Sequence, residues 1–209
     1  NKWDPNAYFK SGQYTLYHQT IRDHNKTGWG MISFLEGFQR SSNVSMAYLL
    51  EKIGDNTFLE YIQKFGVGER TGIDLPNEAA GVILNKNPSE RLTTTYGQGS
   101  TVTPIQMLQA ATTIANDGVM MKPYVIDSIR NPNTGELVKD KKPEEKGQPI
   151  SAETAKKVRE ILTSTVTSDH GTGRGFALNG YTMGGKTGTA EIPGPSGGYQ
   201  AGGSNYLYS

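Results

Sequence analysis

The stretch GYTMGGKTGTAE, Gly180 to Glu191, satisfies two patterns that belong to different folds. Read from Gly180, it is the phosphate-binding pattern G-x-x-x-x-G-K-S/T, which lies between a strand and a helix. Read from Lys186, it contains Lys-Thr-Gly, an element of serine acyl-transfer enzymes that penicillin acylates. The residues on either side of the stretch decide which fold the chain adopts.

The flanking residues do not fit a phosphate-binding loop. The preceding GFALN, residues 175–179, is too short for a buried parallel strand. The following GTAEIPGPSGGYQAGG, residues 188–203, contains two prolines and many glycines, which forbid a helix. A nucleotide hydrolase is therefore the third-ranked function, and unchanged melting in the presence of ATP and magnesium would eliminate it.

The Lys-Thr-Gly interpretation predicts a strand over residues 181–192 instead. Its glycines at 184, 185 and 188 would leave room for a substrate backbone to lie alongside. Because strand side chains alternate, Lys186 and Gly188 share one face, and Thr187 and Thr189 share the other. A twist or bulge at a sheet edge would be needed to bring all the polar groups to one substrate.

A second element strengthens this interpretation. In SFLEGFQRSSNVSMAYLLEKIG, residues 33–54, apolar residues recur at helical spacing on both sides of a polar interruption. We predict two helices, with Ser41 to Asn43 in the joint between them and Gly54 as the C-cap of the second. Taken alone, Ser41 and Asn43 would be interpreted as caps. Their Ser-x-Asn pattern, placed before Lys-Thr-Gly, favours a catalytic role.

The rest of the chain predicts a mixed α and β domain. Further helices are expected over 56–66, over 103–118 with Thr103 as N-cap and Gly118 at C′, and over 151–167 with Ser151 as cap. Residues 66–88 are expected to form a long surface loop. Residues 124–130 should form a strand that returns through a turn into 137–139, and the charged residues 139–146 should form a solvated loop.

Composition excludes several classes of function. Lys and Arg number 21 against 20 for Asp and Glu, so the chain lacks the excess of positive charge that is typical of nucleic-acid-binding proteins. It has no cysteine, which excludes disulfides and thiol catalysis. The histidines His18, His24 and His170 lack metal-ligand spacing, so we expect surface or polar-network roles and no metal site. No apolar run approaches the ~20 residues that span a membrane, and no signal peptide is recognisable.

Three segments carry a resemblance to a known family: residues 33–54, YGQGSTVTPIQMLQAATTIANDG (96–118) and HGTGRGFALNGYTMGGKTGTAEI (170–192). They resemble the transpeptidase domain of class B penicillin-binding proteins, especially the division-associated enzymes of Gram-positive cocci such as staphylococci. The resemblance implies a mixed α/β (α+β) penicillin-binding transpeptidase or serine β-lactamase-like fold, with an antiparallel sheet flanked by helices. We expect residues 1–209 to form one partial transpeptidase domain, incomplete at both ends.

The resemblance also implies a reaction. In this family a serine attacks the D-Ala–D-Ala bond of a peptidoglycan stem peptide, D-alanine leaves, and an amine of a second stem peptide takes the acyl group. β-Lactams imitate the donor. Ser41 would relay a proton to the departing amine, Asn43 would hold the substrate amide, and Lys186 would keep the proton network poised. The substrate would bind at Thr187, Gly188 and Thr189, through the two threonine hydroxyls and an oxyanion-hole N–H at Thr189.

The sequence departs from the family pattern in one respect. The family's nucleophile lies in Ser-x-x-Lys before Ser-x-Asn, and no serine here has lysine three residues later. We expect either a catalytically dead homologue or, preferably, a fragment whose partner segment lies elsewhere. On either interpretation, this chain alone is expected to be inactive.

The implied partners follow from the family. They are stem peptides, β-lactams, the remainder of the transpeptidase domain and cell-division proteins, with no cofactor and no nucleic acid. The expected location is the outer face of the cytoplasmic membrane, through an anchor outside this chain. Two alternatives share the fold: a penicillin-sensing receptor domain, and a β-lactamase or D,D-carboxypeptidase that passes the acyl group to water. A class A β-lactamase needs a glutamate to position that water, and none is assignable.

Overall fold

Six α-helices and ten short strands follow one another in the computed structural model, which describes residues 4–192 and the backbone of 206–208. The helices are α1 (Phe34–Gln39), α2 (Asn43–Ile53), α3 (Asp55–Lys64), α4 (Pro88–Thr94), α5 (Pro104–Ala115) and α6 (Ala152–Thr167). The strands are β1 (Tyr8–Lys10), β2 (Gln13–Leu16), β3 (Gln19–Arg22), β4 (Met31–Ser33), β5 (Met120–Met121), β6 (Ser128–Arg130), β7 (Leu137–Asp140), β8 (Glu145–Gly147), β9 (Thr189–Glu191) and β10 (Tyr206–Tyr208).

The chain divides into two units. The first comprises Asn1–Phe58, Leu84–Ser100 and Arg159–Ser209, and the second comprises Leu59–Ile83 and Thr101–Val158. All strand pairs in the described residues are antiparallel: β1 with β4, β2 with β3 and β9 with β10 in the first unit, and β5 with β8 and β6 with β7 in the second. The predicted antiparallel sheet is therefore represented there by five separate pairs.

Helix α2 organises the core of the first unit. Val44, Ala47 and Leu50 are buried on one of its faces, at the i, i+3, i+6 spacing of an amphipathic helix. Val44 belongs to one apolar cluster with Phe9, Ile32 and Phe34, whereas Ala47 and Leu50 belong to another with Ile21 and Leu92. Full burial of a side chain such as Leu50 contributes about 2 kcal/mol. The helix is thereby fixed against the strands that precede it.

The two helices predicted within residues 33–54 are confirmed. Helix α1 ends before the joint, and α2 begins at Asn43 with Ser42 as its N-cap. Gly54 is the C-cap of α2, as predicted, with a φ of +83° that favours glycine. The joint therefore consists of Arg40, Ser41 and Ser42, and Asn43 is the first helical residue.

In the second unit, α5 has the predicted start but a different end. Thr103 and Gln106 form a reciprocal capping box, and Pro104 occupies the first turn. The prediction that Gly118 lies at C′ is wrong by one residue. Asp117 takes the left-handed C′ conformation at a φ of +50°, and the Gly118 N–H donates to the Thr113 carbonyl at 2.9 Å, as a C″ residue does.

Other helix predictions agree with the structure. Helices α3 and α6 lie where they were expected, and the Ser151 hydroxyl accepts from the Thr154 N–H at 3.2 Å at the start of α6. Residues 66–87 form the predicted loop. Helix α4, capped by the Asn87 side chain, follows that loop and was not predicted. None of the helices in the described ranges is long and apolar enough to cross a membrane.

Two strand predictions in the second unit need correction. The strand predicted over 124–130 is shorter, because the Asp74 carboxylate accepts from the Val125 and Ile126 N–H groups at 2.8 and 3.0 Å and takes them out of the ladder. The loop predicted over 139–146 contains the end of β7 and the start of β8. In both strands, backbone hydrogen bonds to a partner strand stabilise the extended conformation although the segment is highly charged.

The strand predicted over 181–192 is also much shorter. Only β9, Thr189–Glu191, pairs with another strand in the described residues. Lys186, Thr187 and Gly188 lie in the extended segment before it. The physical reason is that residues 184–185 pair with helix α6 instead of a strand, and the Gly185 N–H donates to the Leu162 carbonyl at 3.2 Å.

Candidate active site

The joint between α1 and α2 forms a tight turn that presents Ser41. The Ser41 and Ser42 N–H groups donate back to the Phe38 and Gly37 carbonyls at 3.1 and 2.8 Å. Ser41 itself has a φ of +58°, a left-handed conformation that costs a non-glycine residue about 1–2 kcal/mol. The surrounding contacts must maintain this conformation, which is a common property of residues at functional sites.

Lys186 reaches this turn. Its ammonium donates to Ser41 Oγ at 2.7 Å and to the Thr187 carbonyl at 3.0 Å, and it lies 5.8 Å from the centre of the Phe38 ring. Although the residue as a whole is exposed, burial of the amine lowers the pKa of Lys186 below its ordinary value. A lysine with a lowered pKa that is hydrogen-bonded to a hydroxyl gives up a proton to it more readily than an ordinary lysine does.

Helix α6 places the segment that carries Lys186. The Thr165 hydroxyl donates to the Gly185 carbonyl, and a Cβ on Gly184 would lie 3.0 Å from the Thr163 nitrogen. The prediction that Gly184 makes room for a substrate is therefore wrong, because its missing side chain accommodates α6. A Cβ on Gly185 would meet open space among the described residues. Of the two glycines, only Gly185 has free space beside its Cα in which a substrate could lie.

The other predicted site residues are not all in contact with one another. Asn43 Nδ2 donates to the Arg22 carbonyl at 3.1 Å. The Thr187 hydroxyl pairs with that of Thr172 at 2.8 Å, so Lys186 and Thr187 have different side-chain partners. Gly188 and Thr189 follow immediately along the chain. In the described part of the chain, no hydrogen bond joins the Thr189 side chain to Ser41 or Lys186.

Gln39 supports the site and was not recognised in the sequence. Its buried side chain donates to Ser164 Oγ at 3.0 Å and accepts from Ser168 Oγ at 3.0 Å, while its carbonyl accepts from the Thr172 N–H at 3.1 Å. Gln39 thus ties the end of α1 to α6 and to the loop that holds Thr187. A lone glutamine in a helical pattern gives no signal of such a role.

A polar cluster borders the turn. Arg40 forms an ion pair with Glu36 at 2.7 Å, and its guanidinium lies 2.7 Å from His170 Nδ1. A guanidinium can only donate, so Nδ1 accepts and the neutral imidazole carries its hydrogen on Nε2. His170 is therefore part of a polar network, as predicted. No group of three or more potential metal ligands is found in residues 4–192.

Comparisons with known proteins place the chain in a family. The profile described as the penicillin binding protein transpeptidase domain matches residues 1–208. This chain belongs to that family, in its class B branch. The mixed α/β fold predicted from the sequence is confirmed, and the nucleotide-hydrolase interpretation is excluded.

Individual relatives agree. Stage V sporulation protein D of Bacillus subtilis is 37% identical over 187 residues, which cover 88% of this chain and 29% of the relative. Penicillin-binding protein PbpB of Mycolicibacterium smegmatis is 36% identical over 185 residues, which cover 85% of this chain and 28% of the relative. The chain therefore spans less than a third of the length of these curated relatives.

Solved structures agree as well. Penicillin Binding Protein 2X from Streptococcus thermophilus superposes with a TM-score of 0.90 at 28% identity, over 99% of this chain and 32% of that one. Penicillin binding protein 3 from Mycobacterium tuberculosis, solved in complex with aztreonam, superposes with a TM-score of 0.83 at 31% identity, over 94% of this chain and 46% of that one.

Proposed function

We propose that this chain forms part of a peptidoglycan D,D-transpeptidase that cross-links stem peptides through a serine acyl-enzyme and is acylated by β-lactams. The observation that carries the proposal is the 2.7 Å hydrogen bond from Lys186 to Ser41. It joins the Lys-Thr-Gly and Ser-x-Asn elements in one polar site. Family membership supports the reaction class, and the complex of the Mycobacterium tuberculosis relative with aztreonam supports β-lactam binding.

The proposed chemistry uses the observed donor and acceptor directions. A serine of a Ser-x-x-Lys segment outside this chain gives its hydroxyl proton to the lysine of that segment and attacks the carbonyl carbon, and the C–N bond to D-alanine breaks as the tetrahedral intermediate collapses. The departing nitrogen takes the proton of the Ser41 hydroxyl, which is free to be donated because Ser41 accepts from Lys186. Lys186 then returns a proton to Ser41, and the proton taken from the nucleophile passes to Lys186, so both groups end in their starting protonation states. The lowered pKa of Lys186 makes this transfer easier.

The remaining site residues are assigned to substrate binding. Asn43 holds the substrate amide. Thr187 and Thr189 bind the terminal carboxylate through their hydroxyls. Thr187 can donate to the carboxylate while it accepts from the Thr172 hydroxyl. Gly188 leaves room for the substrate backbone, and the Thr189 N–H supplies half of the oxyanion hole.

The wider context is also a proposal. Residues 1–209 form a partial transpeptidase domain, and the nucleophilic segment lies in the rest of the protein. The whole protein acts on the outer face of the cytoplasmic membrane through an anchor outside this chain. Its partners are cell-division proteins of a Gram-positive coccus related to staphylococci. The small share of the curated relatives that this chain covers supports a longer parent protein.

Acylation of the full-length protein by a fluorescent penicillin tests the proposal. We expect Lys186→Met and Ser41→Ala to lower the acylation rate at least about 100-fold, the order of magnitude that a positioned proton-transfer group contributes. Lys64→Met is the matched control, because Lys64 pairs with Glu60 on the exposed face of α3. Wild-type acylation in Lys186→Met would overturn the proposal.

Product analysis separates the alternatives. With stem-peptide donor and acceptor, a transpeptidase gives a cross-linked dimer. Release of the hydrolysed donor would indicate a D,D-carboxypeptidase, and rapid turnover of the penicilloyl-enzyme would indicate a β-lactamase. Stable acylation with no product from stem peptides would indicate a sensor domain.

A further inference from the structure

Asp23 lies directly after β3, and its side chain is in the core beneath the Ser41 turn. The residue is 1% exposed, and its carboxylate accepts three hydrogen bonds. Oδ2 accepts from the Gly12 N–H at 2.7 Å, and Oδ1 accepts from the Ser42 hydroxyl at 2.7 Å and from the Val44 N–H at 3.1 Å. One buried carboxylate thus connects the β2–β3 hairpin to the start of α2.

The contact with Ser42 determines how the two adjacent serines differ. Ser42 is 1% exposed, and its hydroxyl donates to Asp23 while it accepts from the Ser45 N–H at 3.0 Å. Its proton is therefore committed to Asp23. The Ser41 hydroxyl accepts from Lys186 and keeps its own proton available. Asp23 fixes Ser42 as the helix cap and leaves Ser41 as the residue that faces Lys186.

The end of β3 holds the next residue as well. The Arg22 carbonyl accepts from Asn43 Nδ2 at 3.1 Å, so two consecutive residues at this strand end bind two consecutive residues of the turn. Ser41 lies beside them in a left-handed conformation that depends on its surroundings. The carboxylate also stands at the N-terminus of the 11-residue helix α2, where a negative charge is favourable.

We propose that Asp23 is a positioning residue for acyl transfer: it sets the Ser41 and Asn43 side chains by anchoring Ser42 between them. This inference rests on the function proposed above for Ser41 and Asn43. Asp23 contacts neither of those side chains and acts through the Ser42 hydroxyl and the Val44 N–H. Its loss would displace the turn relative to Lys186, and small displacements of reacting groups lower rates steeply.

The decisive variant is Asp23→Asn in the full-length protein. An amide presents one acceptor and one donor group, whereas Asp23 faces donors on both sides. The amide NH₂ must therefore face either the Gly12 N–H or the Val44 N–H, which places a donor against a donor. We expect the acylation rate constant at saturating penicillin, measured well below the melting temperature, to fall about 10–100-fold.

Glu78→Gln supplies a matched control. Glu78 lies in the second unit and likewise accepts two backbone N–H groups and one hydroxyl, from Thr71 and Gly72. The substitution makes the same chemical change, and we expect it to lower the melting temperature as well. We expect its acylation rate constant to stay within about twofold of wild type, since the hydrogen bonds of the Glu78 carboxylate go to Thr71 and Gly72 and not to the Ser41 turn.

Ser42→Ala provides an independent variant that removes the hydroxyl and keeps the Asp23 carboxylate. We expect a slower acylation of similar size, and a double variant with Asp23→Asn no slower than the worse single one, because both changes break the same connection. Wild-type acylation in Asp23→Asn, or an equal loss in Glu78→Gln, would overturn the inference. If Ser41→Ala also acylated at the wild-type rate, the function proposed for the site would fail first.

Discussion

The Lys186 ammonium lies 2.7 Å from the Ser41 hydroxyl oxygen and joins two residues that are 145 positions apart in the chain. Ser41 is held by the joint between α1 and α2, and Lys186 is held by the segment packed on α6. The two supports are different parts of the fold that Gln39 connects, and each can be tested by its own substitutions. Substitutions in either support are expected to disturb the same hydrogen bond between Lys186 and Ser41.

The buried amine of Lys186 predicts how stability depends on pH. Its pKa is lowered from the ordinary value of 10.5, so between the lowered pKa and 10.5 the unfolded chain binds more protons than the folded one. Stability from this group must therefore increase with pH across that window. We expect the wild-type melting temperature to rise with pH relative to that of Lys186→Met.

Thermal unfolding of both proteins from pH 7 upward measures this difference, and titrations common to both cancel. A difference that stays constant or falls with pH would show that the folded chain does not disfavour the charged lysine. Lys64→Met, at an exposed residue whose pKa is raised by hydrogen bonding to Glu60, should give the opposite slope.

The left-handed Ser41 predicts an unusual ranking of substitutions. Both Ser41→Gly and Ser41→Ala lose the bond to Lys186, but only glycine adopts a φ of +58° without strain. We expect the glycine variant to be more stable by about 1 kcal/mol in urea unfolding, although glycine is usually the less stable of the two. Equal midpoints, or a more stable alanine variant, would contradict the observed backbone conformation.

Gly118 and Gly135 are matched positions for testing whether neighbouring backbone atoms leave room for a side chain. Both have positive φ, of +86° and +73°, but a Cβ on Gly118 would overlap the Ile150 carbonyl oxygen, whereas one on Gly135 would meet open space among the described residues. We expect Gly135→Ala to cost about 1 kcal/mol from the backbone alone. Gly118→Ala should cost clearly more, at least about 3 kcal/mol, because the helix C-terminus must also move. If denaturant unfolding gave the same loss of stability for both variants, Gly118 would not lie as close to the Ile150 carbonyl as the structure shows.

The capping box of α5 predicts unequal roles for its two members. Thr103→Ala removes one cap and should cost about 1 kcal/mol. The Gln106 side chain also donates to the Glu69 and Ala80 carbonyls, at 2.5 and 2.7 Å, and is 1% exposed. Gln106→Leu leaves both carbonyls unsatisfied and should cost about 3 kcal/mol. Urea unfolding distinguishes the two values, and a smaller loss in Gln106→Leu would contradict these contacts.

Five of the six helices in the described residues were predicted from the sequence because their signals are local. The Thr103 cap and the C-terminal Gly54 each act within one turn of the residue concerned. Helix α4 was missed although its Asn87 cap is equally local. The strand predicted over 181–192 was too long because the Gly185 backbone groups bond to α6 instead of to a strand. Helix α6 is too distant in the sequence to be recognised as a partner from the neighbouring residues. The same reason explains the strand shortened by Asp74.

The site was predictable in part for a similar reason. Ser41, Asn43 and Lys186 lie in short recognisable patterns, but their supports do not. Asp23 and Gln39 are isolated polar residues whose roles depend on partners 19 and 125 positions away. Nothing in the adjacent sequence distinguishes such residues from ordinary surface ones.

The first unit is built from three separated segments of the chain, and this has a consequence for its synthesis. At about 5–20 residues per second, a ribosome needs about 7 to 30 s to proceed from Ser41 to Lys186. Until residues 164 and 168 have been synthesised, the Gln39 side chain has neither Ser164 nor Ser168 to bind. The nascent chain must therefore carry an unfinished first unit, with apolar surface still uncovered, through the synthesis of the whole second unit.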